Sequence, residues 1–271
     1  MPAPRDLDPS ASPLAFFGAE VRRYRAEKGW SQEKLGEQIN YSIALVGMIE
    51  TAKRVPSRDF TARCDEALET GGALTRLWPL LSREAYPTWF RPFVELEREA
   101  TSLKGYEPMV LPGLFQTEAY ARAMLLGGRP GDSPEQIEEM VAARIERQAI
   151  LERSDPPALW IVLDEGVLHR TIGGPEVMRN QIARLIDLGG QPKITIQIVP
   201  KETAAHPGLA GAFVIAGFRN GVDVVYLETA AHGHIVQRRE DIETVTYVFD
   251  ALRAEALPQR ASLELIARMV A

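Results

Sequence analysis

The sequence predicts a multi-domain chain: an all-α five-helix domain followed by an α+β domain of mixed sheet and helices. Three observations carry this. Apolar residues recur at helical spacing from Leu14 to Leu81, with cap residues between the runs. After Pro156–Pro157 the period changes, and short apolar runs alternate with an amphipathic stretch. The length of 271 residues suits two domains at roughly 100–200 residues each. The expected boundaries are a disordered tail over 1–13, a helical domain over 14–82 and an α+β domain over 83–271.

The tail holds Pro2, Pro4, Pro9 and Pro13 among small polar residues, a composition that buries little. Leu14, Phe17, Val21 and Tyr24 share one face of a first helix, which Gly29 ends. Ser31 caps a second helix, Gln32 to Ile39, and Ser42 caps a third, Ile43 to Glu50. Only Asn40 and Tyr41 lie between Ile39 and Ser42, which makes a tight helix–helix turn. Ser57 caps a fourth helix through Leu68, closed by Gly71–Gly72, and a fifth runs from Ala73 to Leu81. Tyr86 to Pro112 mixes prolines with the acidic run Glu95, Glu97 and Glu99, and the domain junction is expected here with a short helix and a strand.

Thr117 caps a helix whose inner face holds Tyr120, Met124 and Leu125. Ser133-Pro134-Glu135-Gln136 is a capping box that opens a long helix to Arg153. Ala158 to Leu163 reads as a buried strand, Pro175 to Leu188 as an amphipathic helix and Ile194 to Val199 as an alternating strand, a βαβ-like unit. Strands Ala212 to Phe218 and Val222 to Leu227 flank Asn220-Gly221, a hairpin turn signal. Helices over Arg239 to Glu255 and Gln259 to Val270 finish the chain.

Hydrophobic residues make up 45% and charged residues 25%, enough to bury a core. The single cysteine, Cys64, excludes an internal disulfide and a multi-cysteine zinc site. Its stripe with Phe60 and Leu68 reads as a packed thiol. No apolar run approaches the ~18 residues of a membrane span, and no signal peptide opens the chain. The expectation is a cytoplasmic protein with no membrane contact.

Net charge is −6, yet residues 14–81 hold ten Lys or Arg against nine Asp or Glu, so the acidity lies elsewhere. A specific DNA binder needs only a local basic patch, because phosphate contacts come from a few positions. The titratable groups that could suggest other chemistry are His232 and His234, an H-x-H on an expected loop, and Asp164, Glu165 and His169 near one strand end. H-x-H alone is weak, and no H-E-x-x-H, G-x-S-x-G, phosphate loop or dinucleotide fingerprint occurs. Asp164 and Glu165 are expected to open a helix, where negative charge is favourable. Arg144 and Arg147 with Glu146 read as a salt-bridged solvated face. The expectation is therefore no catalytic residue, no cofactor, no metal and no enzyme.

Reading duplex DNA with two short helices needs one that crosses the backbone and one that lies in the major groove. Leu35, Ile39, Val46 and Ile49 can hold such a pair against the first helix. Gln32, at a helix N-terminus, can donate to a phosphate. Lys53 and Arg54 follow the third helix and can reach the flanking backbone, and Arg58 extends that patch.

These residues resemble the phage-repressor-like (XRE-type) helix-turn-helix family, through WSQEKLGEQI and SIALVGMIETAKRVPS. The resemblance covers residues 14–81 and implies double-stranded DNA as partner. It also implies that Ser42, Ile43, Ala44, Gly47 and Met48 are the groove-facing positions. Those positions usually carry polar residues that read base edges. Apolar side chains can touch a thymine methyl but cannot make bidentate bonds worth ~1–3 kcal/mol of discrimination each. Ala52 stands where the family pattern has glycine, so the third helix lacks its usual closing residue.

The segments PGLFQTEAYARAML, RIERQAIL, LDEGVLHRTIGGPEVMRNQIARL and VYLE resemble the uncharacterised domain that follows the helix-turn-helix in many actinobacterial, antitoxin-like regulators. That resemblance spans residues 85–271 and implies a small protein partner or a small ligand at the C-terminal domain. Two readings stay open. One is a sequence-specific transcriptional regulator acting as a homodimer, with a C-terminal regulatory domain. The other is an antitoxin-like or adaptor protein that chiefly holds a small protein, with auxiliary DNA binding. A weaker third is an enzyme governed by its DNA-binding domain.

Overall fold

The computed structural model describes residues 7–82, 86–229 and 231–269. They form two compact units. The first takes the chain to Tyr86 together with Ser133–Ala143, and the second takes Pro87–Asp132 and Arg144 onward. Positions 1–6 of the expected tail lie outside the described residues.

The first unit is built from α1 (Pro13–Glu27), α2 (Gln32–Ile39), α3 (Ile43–Glu50), α4 (Arg58–Leu68) and α5 (Ala73–Ser82). The first helix starts one residue earlier than its apolar period, because Ser12 Oγ accepts from the Ala15 N–H and Pro13 fills a position that needs no N–H. Ser31, Ser42 and Ser57 cap α2, α3 and α4 as their spacing predicts, each accepting from the N–H three residues on. Asn40 closes α2 in the left-handed region at φ 59°, a conformation its short polar side chain tolerates. Phe17, Val21, Leu35, Ile39, Val46, Ile49, Phe60 and Cys64 form the core of this unit.

The end of α4 differs from the expectation. It closes on Glu69 at φ 55°, and Gly71 and Gly72 serve the following turn instead. The reason is Asp65. Its carboxylate accepts from the Leu74 and Thr75 N–H groups at 2.9 and 2.8 Å and from the Thr70 hydroxyl. One residue of α4 thus caps the start of α5, and the glycines let the chain turn sharply enough for that.

The second unit opens with α6 (Arg91–Glu99), β1 (Ser102–Glu107) and α7 (Glu118–Gly128). Next comes α8 (Pro134–Arg147), whose residues to Ala143 belong to the first unit. The expected long helix changes to a 3-10 turn at Gln148, where Gln148 Nε2 bonds to the Gly113 and Gln116 carbonyls. There follow β2 (Ala158–Asp164), α9 (Gly166–His169), α10 (Pro175–Gly189), β3 (Ile194–Val199), β4 (Phe213–Gly217), β5 (Val224–Glu228), β6 (Gly233–Val236), α11 (Arg239–Glu255) and α12 (Gln259–Arg268).

The six strands make one mixed sheet in the order β3-β2-β1-β4-β5-β6. β1, β2 and β3 are parallel, with Leu103 opposite Leu159 and Leu159 opposite Ile194, so the βαβ-like reading holds. The other pairings are antiparallel. Tyr120 of α7, Leu185 of α10 and Ile266 of α12 pack on one sheet face, and Ile242, Phe249 and Leu252 of α11 on the other.

Three local expectations change. The β4–β5 hairpin closes through residues 218–223 rather than a two-residue Asn220-Gly221 turn, and neither residue has the positive φ such a turn needs. β3 does not alternate buried and solvated faces. Gln197 is buried, accepting from Trp160 Nε1 at 2.7 Å and donating to the Leu257 carbonyl at 2.9 Å. Finally, His234 lies on β6 rather than in a loop.

Candidate nucleic-acid interface

The angle between α2 and α3 is set by a charged centre under them. Glu50, the last residue of α3, is fully buried. Arg25 of α1 donates to both its oxygens, Nε at 2.5 Å and Nη2 at 2.8 Å, and Gln32 Nε2 adds a third bond at 2.8 Å. Arg25 also reaches the Trp30 carbonyl, and Arg22 the Glu50 carbonyl. The bonds to Glu50 hold the Arg25 guanidinium above its ordinary pKa, against the opposing effect of burial. One carboxylate therefore ties α1, the start of α2 and the end of α3 together. Close approach makes this reachable: a Cβ on Gly18 would lie 2.5 Å from the Ile49 carbonyl oxygen, and one on Gly36 2.7 Å from that of Tyr41.

Gln32, expected on a phosphate, has its amide on Glu50, with its Oε1 alongside Gly47. It acts as a strut across the helix pair. Ser42, Ile43 and Ala44 are exposed at the start of α3, with Ile43 53% accessible, whereas Gly47 and Met48 are half-buried. The outward face is thus apolar apart from Ser42, whose Oγ is engaged as the cap.

The segment after α3 is ordered by its own bonds. Ala52 adopts φ 53°, Ala52 N–H reaches Ile49 O at 3.0 Å and Lys53 N–H reaches Met48 O at 2.8 Å. This pair of bonds is the Schellman closure, formed with alanine where glycine is usual. Trp78 Nε1 donates to the Pro56 carbonyl at 2.8 Å and fixes the far end. Lys53 is exposed, and so is Arg58 at the start of α4. Arg54 is not free: its Nε lies 3.8 Å from Glu139 Oε1 in α8, and the same oxygen accepts from the Val55 N–H at 3.2 Å. Sequence reasoning did not find Glu139. It lies 84 residues from Val55, and the only available signal was the acidic run that opens α8.

The second unit holds its own polar groups. At the end of β2, Asp164 Oδ1 accepts from the Gly166 N–H at 2.7 Å, the helix-opening role expected of it. Glu165 is buried and accepts from Lys201 N–H at 3.0 Å, with His169 Nε2 3.1 Å away. Just before α7, Gln116 is buried, donates to the Leu111 carbonyl and accepts from Arg144. Arg147, expected on a solvated face, is instead buried with its Nε 3.2 Å from the buried Glu97. Burial, and then the neighbouring Glu228, push the Glu107 carboxyl up to about 8, while Arg147 and Arg144 pull it the other way. Among the described residues no group of three or more His, Cys, Asp or Glu could hold a metal ion. Among the same residues no helix is long and apolar enough to cross a membrane.

Five helices, with α2 and α3 joined by the three residues Asn40, Tyr41 and Ser42 and locked by Glu50, define a helix-turn-helix domain, and the family described as a helix-turn-helix domain matches residues 17–78. The larger part of the chain, residues 90–268, matches the family described as a domain of unknown function (DUF5753), and the chain belongs to that family. No curated protein and no solved structure matches it.

Proposed function

We propose that this protein is a cytoplasmic, sequence-specific transcriptional regulator of the XRE type. Its first unit docks α3 in the major groove, and its second unit acts as a binding or sensing domain rather than an enzyme. The observation that carries the reading is the exposed start of α3, Ser42, Ile43 and Ala44, flanked by exposed Lys53 and Arg58 on a helix pair whose angle is fixed from below. Lys53, Arg58 and the amide groups at the start of α2 supply backbone affinity. Ile43, Ala44 and Met48 supply apolar contact, so specificity rests more on thymine methyls and duplex shape than on bidentate bonds. A homodimer would present two such helices about 34 Å apart, one turn of DNA.

The test is a gel shift with duplex from the region upstream of the protein's own gene, at two salt concentrations. A specific complex weakened by salt is expected. Lys53→Ala should weaken binding to every sequence alike, and Met48→Ala should change the preference among sequences. Equal losses on all sequences for both variants would remove α3 from the groove.

A further inference from the structure

We infer that Glu139 is a built-in competitor for DNA phosphate, seated on the anion site formed by Arg54 and the Val55 N–H. The inference rests on the DNA-binding reading above and adds a regulatory contact to it. The site has the chemistry of a phosphate cradle. It offers a guanidinium, a backbone N–H outside any helix or strand and, two residues on, the capped N-terminus of the eleven-residue helix α4. An anion already occupies it. Glu139 Oε1 is 3.2 Å from the Val55 nitrogen and 3.8 Å from Arg54 Nε, with the two side chains only 19% and 24% exposed.

The surrounding sequence fits this role. From Asp132 to Ala143 the chain carries four carboxylates and no Lys or Arg. Ile137 and Val141, one turn apart, are buried at 1% and 2%, so this part of α8 is held by an apolar stripe while Glu139 faces the Arg54 loop. The segment groups with the helix-turn-helix unit although it lies inside the stretch that matches the other family. DNA that uses Arg54 and the Val55 amide must first displace this carboxylate. The free protein therefore binds more weakly than its cationic positions alone would allow.

The experiment measures binding of the full-length protein to a fluorescein-labelled mixed-sequence duplex of about 20 base pairs, two turns. Wild type, Glu139→Ala, Glu139→Gln, Arg54→Ala and the Arg54→Ala/Glu139→Ala double variant are compared. Glu139→Ala should tighten binding about five- to tenfold, and Glu139→Gln, which keeps the shape and loses the charge, by less. The gain should vanish in the Arg54→Ala background. The slope of log affinity against log salt should steepen by up to about one unit in Glu139→Ala, because the protein no longer takes up a cation when DNA displaces the carboxylate. Unchanged or weaker binding by both Glu139 variants overturns the inference, as does an equal gain with and without Arg54. Lys53→Ala separates the two levels. If it weakens wild-type binding while the Glu139 variants do nothing, the DNA reading stands and the competitor role falls. If no form binds duplex, both fall together.

Discussion

Truncating Glu50 tests whether one buried carboxylate sets the geometry of the helix pair. Glu50→Ala removes the acceptor for two bonds from Arg25 and one from Gln32, and leaves the Arg25 guanidinium, 14% exposed, without its counter-charge. Breaking a buried pair from one side costs about 3–5 kcal/mol, because the remaining charge stays desolvated. That is a large share of the ~5–15 kcal/mol that holds a typical domain. Removing both partners avoids the stranded charge. The double variant Arg25→Ala/Glu50→Ala should therefore be less destabilised than the sum of the singles by about 2 kcal/mol. Tryptophan fluorescence is a poor probe, since Trp30 and Trp78 lie in one unit and Trp89 and Trp160 in the other. Amide hydrogen exchange at Val46 and Ile49 reads α3 directly. Additivity within about 0.5 kcal/mol, or a Glu50→Ala cost under about 1 kcal/mol, would refute the reasoning.

Three other outcomes follow from named groups. Ala52→Gly should stabilise the first unit by about 0.5–1 kcal/mol, since a left-handed alanine costs ~1–2 kcal/mol and glycine returns part of that as entropy; a lower melting temperature for this variant would contradict the cap geometry. Burial pushes the Asp65 carboxyl up, but its bonds to Thr70, Thr75 and Leu74 outweigh this and hold its pKa below the ordinary value. Its contribution is therefore present above the unfolded pKa of about 4 and lost as pH falls through the folded one, so Asp65→Asn should flatten the acid limb of thermal melts. Glu107 has the opposite sign. With a folded pKa of about 8, raised by burial and by Glu228, its protonated form favours folding, and stability falls as pH rises from about 4 toward 8. Glu107→Gln should remove that slope from urea melts followed through the second unit, and an unchanged slope would mean the carboxylate is better solvated than its position implies.

The helical domain was legible because its signals are local. Ser31, Ser42 and Ser57 each place a side-chain oxygen one turn before an apolar run, and two residues between Ile39 and Ser42 leave room only for a tight turn. Of the parallel strands, β2 and β3 were legible from the period change after Pro157, whereas β1 lies before it. What was not legible depends on pairings that no local periodicity or cap signal records. The closing of α4 turned on Asp65 reaching Leu74 and Thr75. The burial of β3 turned on Trp160 and Leu257 meeting Gln197. The phosphate-facing set was read from position in the helix pair, and nothing local says that Gln32 belongs to Glu50 or that Arg54 meets Glu139.

The apolar face of α3 and the acidic partner of Arg54 have linked consequences. In the proposed DNA complex, base discrimination through Ile43, Ala44 and Met48 would be a short-range apolar effect, whereas the proposed Arg54–Glu139 exchange would be an electrostatic event on the backbone. Phosphate charge is the same at every sequence. Releasing Glu139 would therefore multiply affinity for cognate and non-cognate duplex by one factor and leave their ratio unchanged. On that proposed reading a domain that reads few bases has little specificity to lose, so control through the backbone term would move its occupancy without making its target less distinct. Control through α3 itself would have to disturb the Arg25–Glu50–Gln32 centre, on which the fold of the unit depends. The contact of the loop after α3 with Glu139 uses none of the bonds of that centre, which favours the loop as the place for the proposed regulatory contact.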